Sequence, residues 1–149
     1  MKIKIKKLHE DAIIPKYHTN GSSGFDLHAL EDTVILPGQT KLVRTGLAFD
    51  VGPGYELQIR PRSGVSLKTS LRIANSPGTV DADFRGEVCV IITNIDGRND
   101  TLFGPTTIEK GSRIAQGVIC PVMQADIEVV DYLDETSRGE GGFGSTGSN

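Results

Sequence analysis

The stretch ANSPGTVDADFRGEVCV, residues 74–90, decides how the rest of the chain is read. Asn75 stands before a Ser-Pro-Gly turn, and Val80-Asp81-Ala82-Asp83-Phe84 runs into Gly86 and an apolar segment. A turn cluster between two short runs of strand formers predicts a hairpin, with backbone N–H and C=O groups left at its mouth for a ligand. Working outward, KIKIKKL near the N-terminus alternates charged and apolar residues with period two, the pattern of a strand with one solvated face. Its lysines also discourage stray edge pairing. In GSSGFDLHAL, Phe25, Leu27 and Ala29 fall on one strand face and Asp26 and His28 on the other. Further strands are predicted over 33–36, 40–51, 54–60, 71–74, 86–95 and 112–122, separated by LPGQ, VGPG, NSPG and IDGRND. One short helix is predicted after Ser63-Gly64, through VSLKT. Helical periodicity is otherwise missing, so the fold class is all-β, a barrel or double sheet.

Composition agrees. A length of 149 residues suits one domain with one core. Eighteen Gly and seven Pro imply many turns, and the absence of Trp leaves the core to Val, Ile and Leu. A net charge of −3 is too mild for a nucleic-acid polymer as main partner, so phosphate handling has to be local, through a few placed arginines. Cys89 and Cys120 show no CxxC spacing and each sits in an apolar run, which predicts two free thiols rather than a disulfide or zinc site. No stretch reaches the roughly 18 apolar residues of a membrane span. The N-terminus has no apolar core of signal-peptide length, so a cytoplasmic location is expected.

Four local patterns carry chemistry. Arg60-Pro61-Arg62-Ser63-Gly64 leaves a strand and opens the short helix. Helix N–H groups, the Ser63 hydroxyl, the Arg62 fork and the small Gly64 together suit an anion, although Ser63 could equally be a helix cap. The following GVSLKTS lacks the Gly before Lys68 that a Walker A loop requires. In the second pattern Asp81, between Val80 and Ala82, is expected in a partly dry setting suited to activating water; the alternative is that Asp81 and Asp83 are turn residues. The third is Asp26 in SSGFDLHAL, and the fourth is KGSRIAQ, residues 110–116. Residues 138–149, RGEGGFGSTGSN, hold five Gly and one large apolar side chain, Phe143. Such a tail cannot offset its own ordering entropy. It is either a frayed end or a clasp built on Arg138 and Phe143.

Together and in this order, SGFDL, RPRSGV, GTVDADFRGEV, GSRIAQ and RGEGGFGSTG resemble the five motifs of the all-β dUTP pyrophosphatase (dUTPase) family, over residues 8–147. The resemblance implies a distorted jelly roll, a β-clip-like barrel over 1–137, with a flexible arm over 138–149. It implies a homotrimer in which each active site draws on all three chains. The implied reaction is hydrolysis of dUTP to dUMP and pyrophosphate by water attack on the α-phosphate. That activity keeps uracil out of DNA and supplies dUMP for thymidylate synthesis, with no nucleic-acid or membrane partner.

Carried over motif by motif, Asp81 is the base. Arg62, Ser63, Gly64 and Gln116 hold phosphates. Asn75 and the backbone of Gly78, Thr79, Val80 and Asp81 read uracil, with Cys89 supplying main-chain contact. Asp26 supports, through water, a Mg²⁺ bound to the triphosphate. Arg138 reaches the phosphates, Phe143 stacks on the base and Gly144 lets the arm close. The sequence departs from the family at Phe84, where Tyr is usual beneath the deoxyribose, and at Phe25, where Tyr is commoner and core packing is expected. The segment 96–105 is long for its place. Rival implications are a dCTP deaminase-related enzyme and a dUTP-binding regulator.

Overall fold

In the computed structural model, which describes residues 1–96 and 104–142, period-two runs become short antiparallel strands. They are β1 (Lys4–Lys7), β2 (Phe25–His28), β3 (Thr33–Ile35), β4 (Thr40–Arg44), β5 (Leu47–Asp50) and β6 (Tyr55–Arg60). After the helix α1 (Ser63–Lys68) come β7 (Leu71–Ile73), β8 (Gly78–Val80), β9 (Cys89–Asn94), β10 (Thr106–Ile108) and β11 (Arg113–Pro121). A four-stranded sheet in the order β2-β11-β6-β8 and a three-stranded sheet in the order β4-β9-β7 form the main layers. The pairs β1-β5 and β10-β3 complete the barrel.

The core is aliphatic, as the composition requires. Leu27, Ile35, Val43, Leu47, Leu57, Val88, Val90 and Ile92 are all buried. Phe25 joins them, its ring stacked on Phe49 at 5.9 Å, and Tyr17 meets it edge-on at 5.5 Å. Gly117 lies opposite Phe25 across the ladder, and a Cβ there would come within 2.5 Å of that ring. The core's polar members are paired: Asn94 donates from Nδ2 to the Ile35 carbonyl (3.1 Å) and accepts the Ser70 hydroxyl (2.6 Å).

Three sequence expectations change. The single strand over 40–51 divides into β4 and β5 at Thr45-Gly46, where Gly46 has φ +70° and the chain crosses from one sheet to another. The hairpin of residues 74–90 is not a paired ladder. Its first arm, β8, pairs with β6, whereas its second, β9, pairs with β4 and β7. The two arms therefore belong to different sheets with space between them. Finally, the last strand ends at Pro121, and residues 122–142, expected in part within the barrel, form no strand. No described helix is long and apolar enough to cross a membrane.

Candidate active site

β11 sits between β2 and β6, and at one register position Gln116 faces Asp26 on one side and Arg60 on the other. Directly opposed residues point to the same sheet face, so the third and fourth sequence patterns meet. A register irregularity between Arg113 and Ala115 brings Arg113 opposite His28, on the face that Asp26 and Gln116 share. Asp26 is buried, and both carboxylate oxygens accept from cations. Arg62 Nε donates to Oδ1 at 2.7 Å, and Arg113 Nη1 lies 3.3 Å from Oδ2. His18 Nε2 is 3.1 Å from Oδ2. Burial pushes the neighbouring His28 down, so its ring is neutral at pH 7.

Arg62 occupies the N-cap of α1 without a side-chain cap bond, and Ser63 is the first helical residue. Ser63 is therefore not the helix cap. Gly64 has nothing within 4 Å of where a Cβ would stand, so the folded chain does not itself require glycine there. Gln116 Nε2 donates to the Pro61 carbonyl at 2.8 Å and pins the strand-to-helix loop. Ser63, Pro61 and Gln116 line a cavity of about 570 Å³ with Arg60, Gln58, Ser66, Ser76 and Pro77.

The other side of the Asn75–Gly78 turn opens on a second cavity, of about 350 Å³, between β8 and β9. Asn75, Gly78, Thr79, Val80, Asp81, Phe84 and Cys89 all line it. Ser76 and Pro77 face the first cavity while Asn75 and Gly78 face the second, so this turn is their common wall. Among the described residues β8 pairs with β6 alone, and its Gly78, Thr79 and Val80 line the second cavity. Phe84 lies against Gly86, where a Cβ would come within 2.6 Å of the ring. Burial, and then the Glu87 carboxylate, push the Cys89 thiol up, so it stays protonated at pH 7. Asp81 does not sit in the partly dry setting expected from its neighbours: it is exposed, since Val80 and Ala82 are only half-buried.

A family model described as dUTPase matches residues 10–147. The chain belongs to the dUTPase family. It is 52% identical over 147 residues to a deoxyuridine 5'-triphosphate nucleotidohydrolase of Nautilia profundicola, covering 99% of each chain. It is 54% identical over 148 residues to the protein of that name from Picosynechococcus, covering 99% of this chain and 100% of the relative. Among solved structures, a Staphylococcus bacteriophage 80alpha dUTPase with dUPNHPP superposes with a TM-score of 0.90 at 29% identity, over 99% of both chains. A mutant dUTPase from phage phi11 of S. aureus, described with a structural Mg(II) ion, gives a TM-score of 0.79 at 26% identity, over 89% of this chain and 98% of that one.

Against the dUTPase motifs, the structure gathers the first, second and fourth at one corner and the third around the β8–β9 cavity. Of the fifth motif only residues 138–142 are described. Arg138 donates from Nε to the Gly141 carbonyl at 2.8 Å, within its own turn. Phe143 and Gly144 lie outside the described residues, as does most of the 96–105 segment. Sequence reasoning missed Arg113, the second guanidinium on Asp26, although it lies in the fourth motif. The irregularity that turns it toward the site depends on pairing with β2 and leaves no local signature. His18 was missed for a similar reason, since it reaches Asp26 from a long N-terminal loop.

Proposed function

We propose that this chain hydrolyses dUTP to dUMP and pyrophosphate, so keeping uracil out of DNA and supplying dUMP for thymidylate synthesis. The observation that carries this is the β8–β9 cavity, which gathers Gly78, Thr79, Val80 and Phe84 of the third motif with the open Asp81 carboxylate. The β8 backbone and the Asn75 side chain match the donors and acceptors of uracil, Cys89 contributes main chain, and Phe84 lies under the deoxyribose. Its ring, held on Gly86, excludes a 2'-hydroxyl by packing.

In the reaction, Asp81 accepts a proton from water as the water oxygen bonds to the α-phosphorus. The bridging P–O bond breaks, and its electrons leave with pyrophosphate. Phosphoryl transfer needs an in-line nucleophile and charge neutralisation, and little else. Arg62 supplies part of the latter: its Nε donates to Asp26 and its Nη1 to the Arg113 carbonyl at 3.4 Å, an arrangement that orients Nη2 for phosphate oxygens. Ser63 and Gln116, which line the first cavity, and Gly64, next to Ser63 in the chain, complete the proposed phosphate wall. Arg138 joins from the arm, with Phe143 on the base and Gly144 allowing closure.

No group of three metal-ligating side chains occurs among the described residues. Asp26 is a lone carboxylate with both oxygens already paired, which does not suit a protein-held metal but does suit contact through water. Mg²⁺ takes most of its ligands from substrate phosphates and waters. A Mg²⁺ carried in on the triphosphate fits, and it would supply charge neutralisation on the phosphate oxygens.

The base cavity and the phosphate wall lie on opposite sides of the Asn75–Gly78 turn, an arrangement that suits sites assembled from several copies. We assign a homotrimer with shared sites on that basis and on the family. Incubating the protein with dUTP and Mg²⁺ in ¹⁸O-water tests the reaction. The expected products are pyrophosphate and ¹⁸O-labelled dUMP. Label found only in pyrophosphate overturns attack at the α-phosphorus, and ammonia release from dCTP would point to a deaminase.

A further inference from the structure

The turn Asp81–Phe84 carries both the base and the ring assigned above, yet both residues are exposed. One backbone hydrogen bond closes it, from Phe84 N to the Asp81 carbonyl at 3.2 Å. A solvent-facing turn with a single bond does not hold a carboxylate to the tolerance that in-line attack demands. The missing restraint comes from the next residue. Arg85 Nη1 donates to the carbonyls of Ala82 (2.6 Å) and Phe84 (3.0 Å), gripping the turn from its outer side. Arg85 Nη2 donates to Asp50 Oδ1 at 3.1 Å.

Asp50 ends β5 and is itself fixed. Its Oδ1 accepts from Gly52 N at 3.3 Å and its Oδ2 from Lys4 Nζ of β1 at 3.0 Å. The turn is thus tied through one guanidinium to the β1–β5 pair, on an element outside both substrate cavities. Neither Arg85 nor Asp50 lines either of them. A planar fork suits this task, since it presents three donors in fixed directions to two carbonyls and a carboxylate at once.

We infer that Arg85, anchored by Asp50, is a positioning residue that sets the Asp81 carboxylate and the Phe84 ring for the reaction without touching substrate. This rests on the proposed function. Exposed ion pairs contribute little to stability, so a purely structural role would leave activity intact wherever the fold survives.

The test compares Arg85→Ala, Arg85→Lys, Asp50→Asn and the Asp50→Asn/Arg85→Ala double variant. The measurements are kcat and KM for dUTP, the dUTP-over-UTP ratio of kcat/KM, and the thermal midpoint. Arg85→Ala should lose about 10- to 100-fold in kcat/KM, mainly in kcat, the scale expected for misplacement by an ångström or less. Its preference for dUTP over UTP should narrow as the ring loosens. Asp50→Asn should show a smaller loss of the same kind, the double variant no more than Arg85→Ala alone, and Arg85→Lys a partial rescue. If Arg85→Ala fails to fold, Asp50→Asn and Arg85→Lys decide by the same two activity readouts. Unchanged kcat and unchanged dUTP-over-UTP preference in the folded variants overturn the inference while leaving the proposed function standing. Absence of dUTP hydrolysis by the unsubstituted protein overturns the proposed function first, and this inference with it.

Discussion

Cys89 lines the base cavity and is chemically idle in the proposed reaction, because its contribution is main chain. Burial and the adjacent Glu87 hold its thiol protonated, so it has no nucleophile to offer at pH 7. Cys89→Ala should keep kcat/KM for dUTP within a few-fold, measured by pyrophosphate release; a collapse would mean that the side chain takes part. The same shift has a sign in stability. The unfolded thiol ionises first as pH rises past 9.0, its ordinary value, so folding stability drops from there upward until the folded thiol also ionises. Cys89→Ala should remove part of that alkaline loss in urea titrations. In the proposed reaction Asp81 is the opposite case, a residue whose part lies wholly in its carboxylate. Asp81→Asn keeps shape and removes the base, so turnover should fall by about 10²- to 10⁴-fold while equilibrium binding of dUTP persists. Loss of binding together with turnover would make Asp81 an anchor instead. The identity of Asp81 was legible from its motif, but its exposure was not, since two apolar neighbours in sequence do not enclose a side chain in a turn.

At the scale of elements, Gly46 marks where one predicted strand became two. Its φ is +70°, and a Cβ would stand 2.8 Å from the Ala12 Cβ and 3.1 Å from Leu30 Cδ1. Gly38 has a similar φ of +71° but open space around it, so it serves as the control. Gly38→Ala should cost about 1–2 kcal/mol from backbone conformation alone. Gly46→Ala should cost about 2–5 kcal/mol, because overpacking against a rigid Cβ adds to that term. Urea midpoints of both variants check the difference, and equal losses would mean that the Ala12 contact relaxes freely. β6 was legible because alternation along its six residues survives tertiary context, whereas β11 is buried without a period of two. β8 and β10 escaped, although β3 and β7, also three residues each, did not. Pairing was less legible than the strands themselves. The 74–90 sequence carries every local sign of a hairpin, and only competition from β6, β4 and β7 for its two arms separates them.

At the scale of the whole molecule, the chain leaves the barrel early. Val122 N donates to the Gly54 carbonyl at 2.9 Å, and beyond it Met123, Ile127, Val129 and Leu133 are 84–95% exposed. Apolar side chains in that number, on a segment with no strand, suit contact with a second copy of the chain. We propose that residues 122–137 serve assembly and that 138–149 close over a site. Truncation after Ser137 should leave the oligomer intact in size-exclusion chromatography with light scattering but nearly inactive, whereas truncation after Pro121 should shift it toward monomer. Sharing of sites makes a stronger demand. If a site takes Asp81 from one subunit and the Arg138–Phe143 arm from another, two inactive proteins can complement. Asp81→Asn chains and chains truncated after Ser137 would be co-expressed under different tags, and mixed oligomers isolated by tandem purification. Within them, some sites combine an intact Asp81 on a truncated chain with an intact arm on an Asp81→Asn chain. A Gly-rich arm without a core of its own can span to a neighbour at modest entropic cost. Activity should therefore appear only in the mixed species and rise with their fraction. Mixed oligomers as inactive as both parents would mean that each arm serves its own subunit, and the shared-site arrangement would be wrong.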